Sequence, residues 1–192
     1  MGKSTPIQSV ARPADSLILI QKEKSSDDTV IVISKEVFRL EYQRNTSLPL
    51  HKIRITSAYG YRNHPILGSH GFHSGIDLAA SRDTVFAIFD GTVVQASYDN
   101  NLGLNVQLHH TREISSIYGH LSRLLTVSGQ AVSSGQAIGI SGSTGRSTGE
   151  HLHFTVKMNN RTVDPLLVLR YLIDSELNYD AMDVINSMGK SK

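Results

Sequence analysis

Cysteine is absent from the 192 residues. That excludes both a disulfide framework and a thiolate metal site, so any metal must sit on His, Asp or Glu. An excess of one charge is missing too: 19 Lys and Arg face 17 Asp and Glu, a formal net charge of +2. With no dense basic run and no interleaved aromatic stripe, a nucleic-acid partner is not expected. Long apolar runs are lacking as well. LILI at Leu17 to Ile20 is shorter than a signal-peptide core or a membrane span and is soon followed by charges. The chain as written is therefore expected to carry no membrane span and no export signal; a trimmed signal, or another exit such as lysis or a dedicated secretion apparatus, would each account for that.

The hydrophobic fraction of 39% and the charged fraction of 19% fit a globular domain. At this length one main fold with extensions is favoured over two full domains. Residues 1–50 contain three β-rich runs, Ser16 to Gln21, Thr29 to Ser34 and Val37 to Arg44, separated by a polar stretch. They predict a small strand-forming extension. From Ile53 to about Val163 come short β-branched segments such as TVVQAS, LNVQLHH, ISSIYGH and LHFTVKM, punctuated by Gly, Asn and Ser. Antiparallel strands joined by tight turns are expected there, with no long helical period to interrupt them. After Asp164 the apolar spacing changes to three and four residues behind Pro165, which predicts one or two short helices over 166–192.

Nine histidines exceed what packing needs, and they cluster. His73 and Asp77 lie four residues apart, about 13 Å on a straight strand, too far for one zinc with bonds of about 2 Å. Ser74 and Gly75 between them permit the bend such a pair requires. His151 and His153 flank Leu152 in a β-type run, and strand alternation projects both imidazoles to one side. Two buried histidines on one face would each need a hydrogen-bond partner, so a pure packing role explains them poorly. The preceding loop, Gly142 to Glu150, lacks the Gly-Lys-Ser/Thr ending of a phosphate loop and opens a strand, not a helix. His120, in YGHLS at a strand end, can reach into a cleft as a proton carrier or an oxyanion donor. Spacing alone leaves open whether His151 or His153 is the ligand.

Several ordered blocks then agree at once: ITSAYGYRNHPILG, HSGIDLAA, DGTVV, IYGHLS, GQAIGISGSTGRSTGEHLHF and VDP, from about Ile55 through Pro165. In them the chain resembles the M23-type peptidoglycan endopeptidases, the family of lysostaphin-like and LytM-type enzymes. The resemblance implies a mainly β fold, with antiparallel sheets forming a groove, over residues 51–165. It also implies that His73, Asp77 and His153 bind one zinc ion, and that His120 and His151 are catalytic without binding it. Three protein ligands leave a fourth position for a water whose pKa the metal lowers to about 7. The implied activity is hydrolysis of peptidoglycan stem-peptide cross-links or bridges in the cell envelope, periplasmic or extracellular. With no cell-wall-targeting module visible, stem-peptide cross-links are favoured over glycine bridges. The alternative is a LytM-type binding module that activates other cell-wall hydrolases, and the presence of all five site residues argues against it. Oligomeric state is not legible.

Arg62, Asn63 and His64 fall in a family-like stretch and are candidates for the groove wall or for holding the entry loop. His109 and His110 match no catalytic position and are expected to be exposed. SRDTVFA and YDNNLGLNVQLHH depart from the commoner family pattern, which bears on loop shape more than on the site.

Overall fold

The computed structural model describes residues 46–63, 70–110 and 113–173. The N-terminal runs of the predicted strand extension lie outside the described residues, as do His64 and residues 174–192.

Every strand pairing among the described residues is antiparallel. The chain runs β1 (Ile55–Ser57), β2 (Gly60–Asn63), β3 (His70–His73), β4 (Ile76–Ala79), β5 (Thr84–Phe86), β6 (Gly91–Asp99) and β7 (Gly103–His109). It continues through β8 (Ile114–Leu121), β9 (Arg123–Leu124), β10 (Ala131–Val132), β11 (Ala137–Ile140), β12 (His151–Met158) and β13 (Arg161–Val163). The large sheet has the order β1-β4-β12-β8-β7-β6-β10, and β13 pairs with β12. A second sheet is β5-β11-β9, and β2 and β3 form a separate hairpin.

Alternation on β12 sorts the chemistry from the core. Leu152, Phe154 and Val156 are buried, and Phe154 pairs with Ile76 on β4 and Tyr118 on β8. These residues, with Leu78, Val106 and Leu108, form the apolar core of the large sheet. Removing a fully buried ring such as Phe154 costs about 3–5 kcal/mol. The intervening residues, His151, His153 and Thr155, are turned to the other face.

VFAIF is strand only at its start. Ile88 and Phe89 are fully buried but lie after β5, and the Ile88 N–H donates to the Tyr118 hydroxyl at 3.1 Å. Pro165 opens a helix over 165–173, where the Leu166 N–H donates to Asp164 Oδ1 at 2.9 Å. That is an N-cap followed by proline at the first helical position. Val168, Leu169 and Leu172 bury its inner face.

His110 corrects an expectation. It is 2% exposed, in contrast to exposed His109. Its Nδ1 lies 2.9 Å from the Asp90 carbonyl, which can only accept, so Nδ1 carries the proton. In the neutral ring Nε2 then accepts from Ser116 Oγ at 2.7 Å, and Tyr118 lies 3.0 Å beyond. Ile88 N–H, Tyr118, Ser116, His110 and the Asp90 carbonyl thus form one buried hydrogen-bonded network. Burial pushes the Tyr118 hydroxyl pKa up and pulls the His110 pKa down to about 4. Sequence reading missed this network because its partners come from three separate chain segments.

Candidate active site and metal centre

One register row crosses the large sheet: Ser57, Asp77, His153 and Gly119, on β1, β4, β12 and β8. Asp77 and His153 are therefore direct cross-strand neighbours. His73 joins them because the chain bends at Ser74 and Gly75 between β3 and β4, as the spacing of the pair requires. The bend is close-packed. A β-carbon on Gly75 would stand 2.5 Å from the Phe154 carbonyl oxygen and 2.9 Å from His153 Nε2.

The donor atoms form a nearly equilateral triangle. His73 Nε2 is 3.1 Å from His153 Nδ1 and 3.2 Å from Asp77 Oδ1, and His153 Nδ1 is 3.0 Å from the same carboxylate oxygen. Donors in a tetrahedral set with bonds of about 2.0 Å stand about 3.3 Å apart, so these edges fit one small divalent ion. His73 Nδ1 faces the Ala58 carbonyl at 2.8 Å and must donate to it, which leaves Nε2 as a lone pair directed at the triangle. His153 keeps a choice of tautomer. Its Nε2 lies 3.0 Å from Thr155 Oγ1, a hydroxyl that can accept when Nδ1 faces a cation. Burial raises the Asp77 pKa, but the His153 and His73 imidazoles outweigh it and hold the carboxyl well below the usual carboxylate range. Asp77 is thus ionised, the form a metal ligand needs. Among the described residues this is the one such cluster able to hold a metal ion.

His120 reaches the site by an irregularity of β8. Two steps along β7, from Leu104 to Val106, oppose three steps of β8, from Leu121 back to Tyr118. The extra residue is a bulge, and His120 takes up φ of 59°, a left-handed conformation unusual for a side chain. Regular alternation would turn His120 toward the core face with Tyr118; the bulge re-aims it. Its N–H donates to the Leu102 carbonyl at 2.6 Å. Its Nδ1 faces the Thr144 carbonyl at 2.7 Å, so Nδ1 is the donor and Nε2 is free. Burial lowers the His120 pKa, which keeps the ring neutral near pH 7.

Thr144 is held in turn by the β6–β7 turn. Asp99 Oδ1 accepts from Asn101 and Leu102 N–H, and the Asn101 carbonyl accepts from Arg146 N–H at 3.0 Å. Gly103 and Gly145 meet there so closely that neither has room for a β-carbon. The departure in YDNNLG therefore shapes the support of His120. His151 also donates Nδ1–H to a carbonyl, that of Gly149 at 2.8 Å, and its Nε2 lies 3.6 Å from Asp77 Oδ1. The His120 and His151 ring centroids are 4.7 Å apart.

The structure thus gathers all five residues singled out in the sequence, with His151 set farther from Asp77 than His153. It gives His109 no place in the site. The backbones of Arg62 and Asn63 lie on β2, paired with β3.

Residues 71–165 match the model of peptidase family M23. The DD-carboxypeptidase/endopeptidase Mpg of Neisseria meningitidis is 41% identical over 121 residues, covering 62% of this chain and 28% of that protein. This chain thus spans little more than a quarter of the length of that curated relative. Among solved structures, a zinc-containing peptidase from Vibrio cholerae aligns with a TM-score of 0.60 at 36% identity, covering 63% of this chain and 39% of that one. The catalytic domain of lysostaphin from Staphylococcus simulans aligns with a TM-score of 0.55 at 33% identity, covering 62% of this chain and 92% of that one.

Proposed function

The chain belongs to peptidase family M23, and we propose that it is a zinc-dependent endopeptidase that hydrolyses peptide bonds of bacterial peptidoglycan in the cell envelope. The observation that carries this reading is the triangle of His73 Nε2, Asp77 Oδ1 and His153 Nδ1, with edges of 3.0 to 3.2 Å. These three atoms would hold the ion. When bound, zinc supplies Lewis acidity, polarising a carbonyl oxygen and making water a competent nucleophile near neutral pH.

The remaining work falls to His120 and His151. Each ring is fixed through Nδ1–H to a backbone carbonyl, so each presents Nε2 without a proton of its own. His120, kept neutral by burial, can take a proton at Nε2 and return it to the departing amine nitrogen. Once protonated, the same atom is a donor for a developing oxyanion. The 4.7 Å between the two ring centroids lets both serve one scissile bond. Stem-peptide cross-links are favoured over glycine bridges, a preference supported by relatives named peptidoglycan DD-endopeptidases. Residues 1–50 and 166–192 are read as extensions of a catalytic domain at 51–165.

The test combines zinc analysis of the purified protein with mass spectrometry of fragments released from defined cross-linked peptides and from purified peptidoglycan. Zinc near one ion per chain and cleavage of the D-alanyl cross-link are expected. A metal-free protein that leaves peptidoglycan intact would replace the enzyme by a binding module.

A further inference from the structure

A groove of about 1050 Å³ is lined in part by Asp77 and His151, and so adjoins the triangle of His73, Asp77 and His153. Ala79, Ala80 and Ser81 line it beyond Asp77. One wall carries Glu150; the other is the segment from Leu50 to Ser57, including Lys52 and Arg54. That second wall lies before residue 71, where the family match begins. It is nevertheless built into the sheet. The Arg54 carbonyl accepts from Ala79 N–H at 2.9 Å, and Ala79 pairs with His151.

The charges of the two walls are not equally committed. Glu150 accepts from Ser81 Oγ at 2.5 Å and pairs with Arg82 Nε at 3.6 Å, and Asp83 Oδ2 accepts from Ser81 N–H. Lys52 and Arg54 are exposed and have no ion pair among the described residues. Glu150 is thus paired with a cation and Asp83 is tied to its own turn, whereas the Lys52 and Arg54 side chains on the opposite wall are available to an anion entering from solvent.

We infer that Lys52 and Arg54 form a carboxylate subsite that binds a free carboxylate of the substrate peptide away from the scissile bond. The inference rests on the peptidase reading of the site. A guanidinium takes a carboxylate through two parallel hydrogen bonds, and the lysine adds a second positive charge at the same wall. The carboxylate can come from the C-terminus of the peptide or from a side chain along it. Both share this chemistry.

The experiment uses the full chain with zinc bound and three versions of one defined cross-linked stem peptide: all carboxylates free, the C-terminal one amidated, and the side-chain ones amidated. Wild-type protein is expected to prefer the free peptide by about fivefold in kcat/KM, expressed in KM. The Lys52→Gln/Arg54→Gln double variant should lose that preference while keeping kcat, zinc content and its rate on the amidated peptide. Whichever amidation abolishes the preference names the source of the carboxylate. An equal ratio of free to amidated peptide in wild type and variant overturns the subsite. If no peptide is cleaved, the peptidase reading fails on its own. Calorimetric binding of the same peptides then still decides the subsite: about fivefold weaker binding of an amidated form, lost in the double variant, supports it, and equal binding refutes it.

Discussion

Gly75 leaves no room for a β-carbon beside His153: an added methyl would lie 2.9 Å from His153 Nε2 and 2.5 Å from Thr155 Oγ1. The bend that brings His73 toward Asp77 thus passes directly beside the ring completing the triangle. Gly75→Ala is expected to displace His153 or Thr155 and to weaken zinc binding by about tenfold or more. Competition with a chromophoric chelator measures this, with circular dichroism as a check that the sheet persists. A folded variant with wild-type affinity would show that the close approach does not set the donor geometry.

Thr155 should matter through its hydroxyl, not its volume. Thr155→Val removes the partner of His153 Nε2, 3.0 Å away, at nearly constant size. Zinc affinity is expected to fall by about 10- to 100-fold, whereas Thr155→Ser should retain most of it. Equal affinities of the two variants would assign Thr155 to packing alone.

Ligand and proton-transfer roles separate by metal content. Asp77→Ala and His153→Ala should lose zinc and peptidoglycan cleavage together. His120→Ala should keep zinc but slow turnover by about 100-fold or more, since its Nδ1 is committed to Thr144 and only Nε2 faces the site. Atomic absorption beside a single cleavage assay distinguishes the cases. Full zinc occupancy in Asp77→Ala and His153→Ala would mean that the triangle is not the metal site.

The legible part of this site was the part written in strand periodicity. His151 and His153 fall on one face because a strand alternates, and a bend at Ser74 and Gly75 is the only way His73 and Asp77 can meet. The long strands, β6, β7, β8 and β12, carried enough β-branched residues to be read directly. Strands of two to four residues, such as β2, β9 and β10, have no period to detect; partners remote in sequence create them. His120 is the instructive case. Its position after Tyr118 and Gly119 would send it to the core side, and only the β8 bulge, with φ of 59°, turns it back. His110 was misjudged for a related reason. Nothing near it in sequence reveals that Asp90 and Ser116 will supply a partner to each ring nitrogen.

That buried ring makes stability depend on pH away from the His73–Asp77–His153 triangle. The His110 pKa is lowered from its ordinary value near 6.5 to about 4, chiefly by burial. Between those values the unfolded chain binds a proton at His110 that the folded protein does not, so stability rises with pH across the window. The contribution is complete above about pH 6.5, falls as the pH drops through the window, and is exhausted below about pH 4. Its full extent is about 3 kcal/mol. The comparison is between wild type and His110→Gln, in which contributions from all other groups cancel. The stability difference between the two should shrink by up to that amount as the pH falls from 7 to 4, with the His110 ring signals in nuclear magnetic resonance still those of a neutral imidazole at pH 5. A ring that titrates near 6.5, together with a pH-independent difference between the two proteins, would show that the Asp90–His110–Ser116 network opens to water in solution.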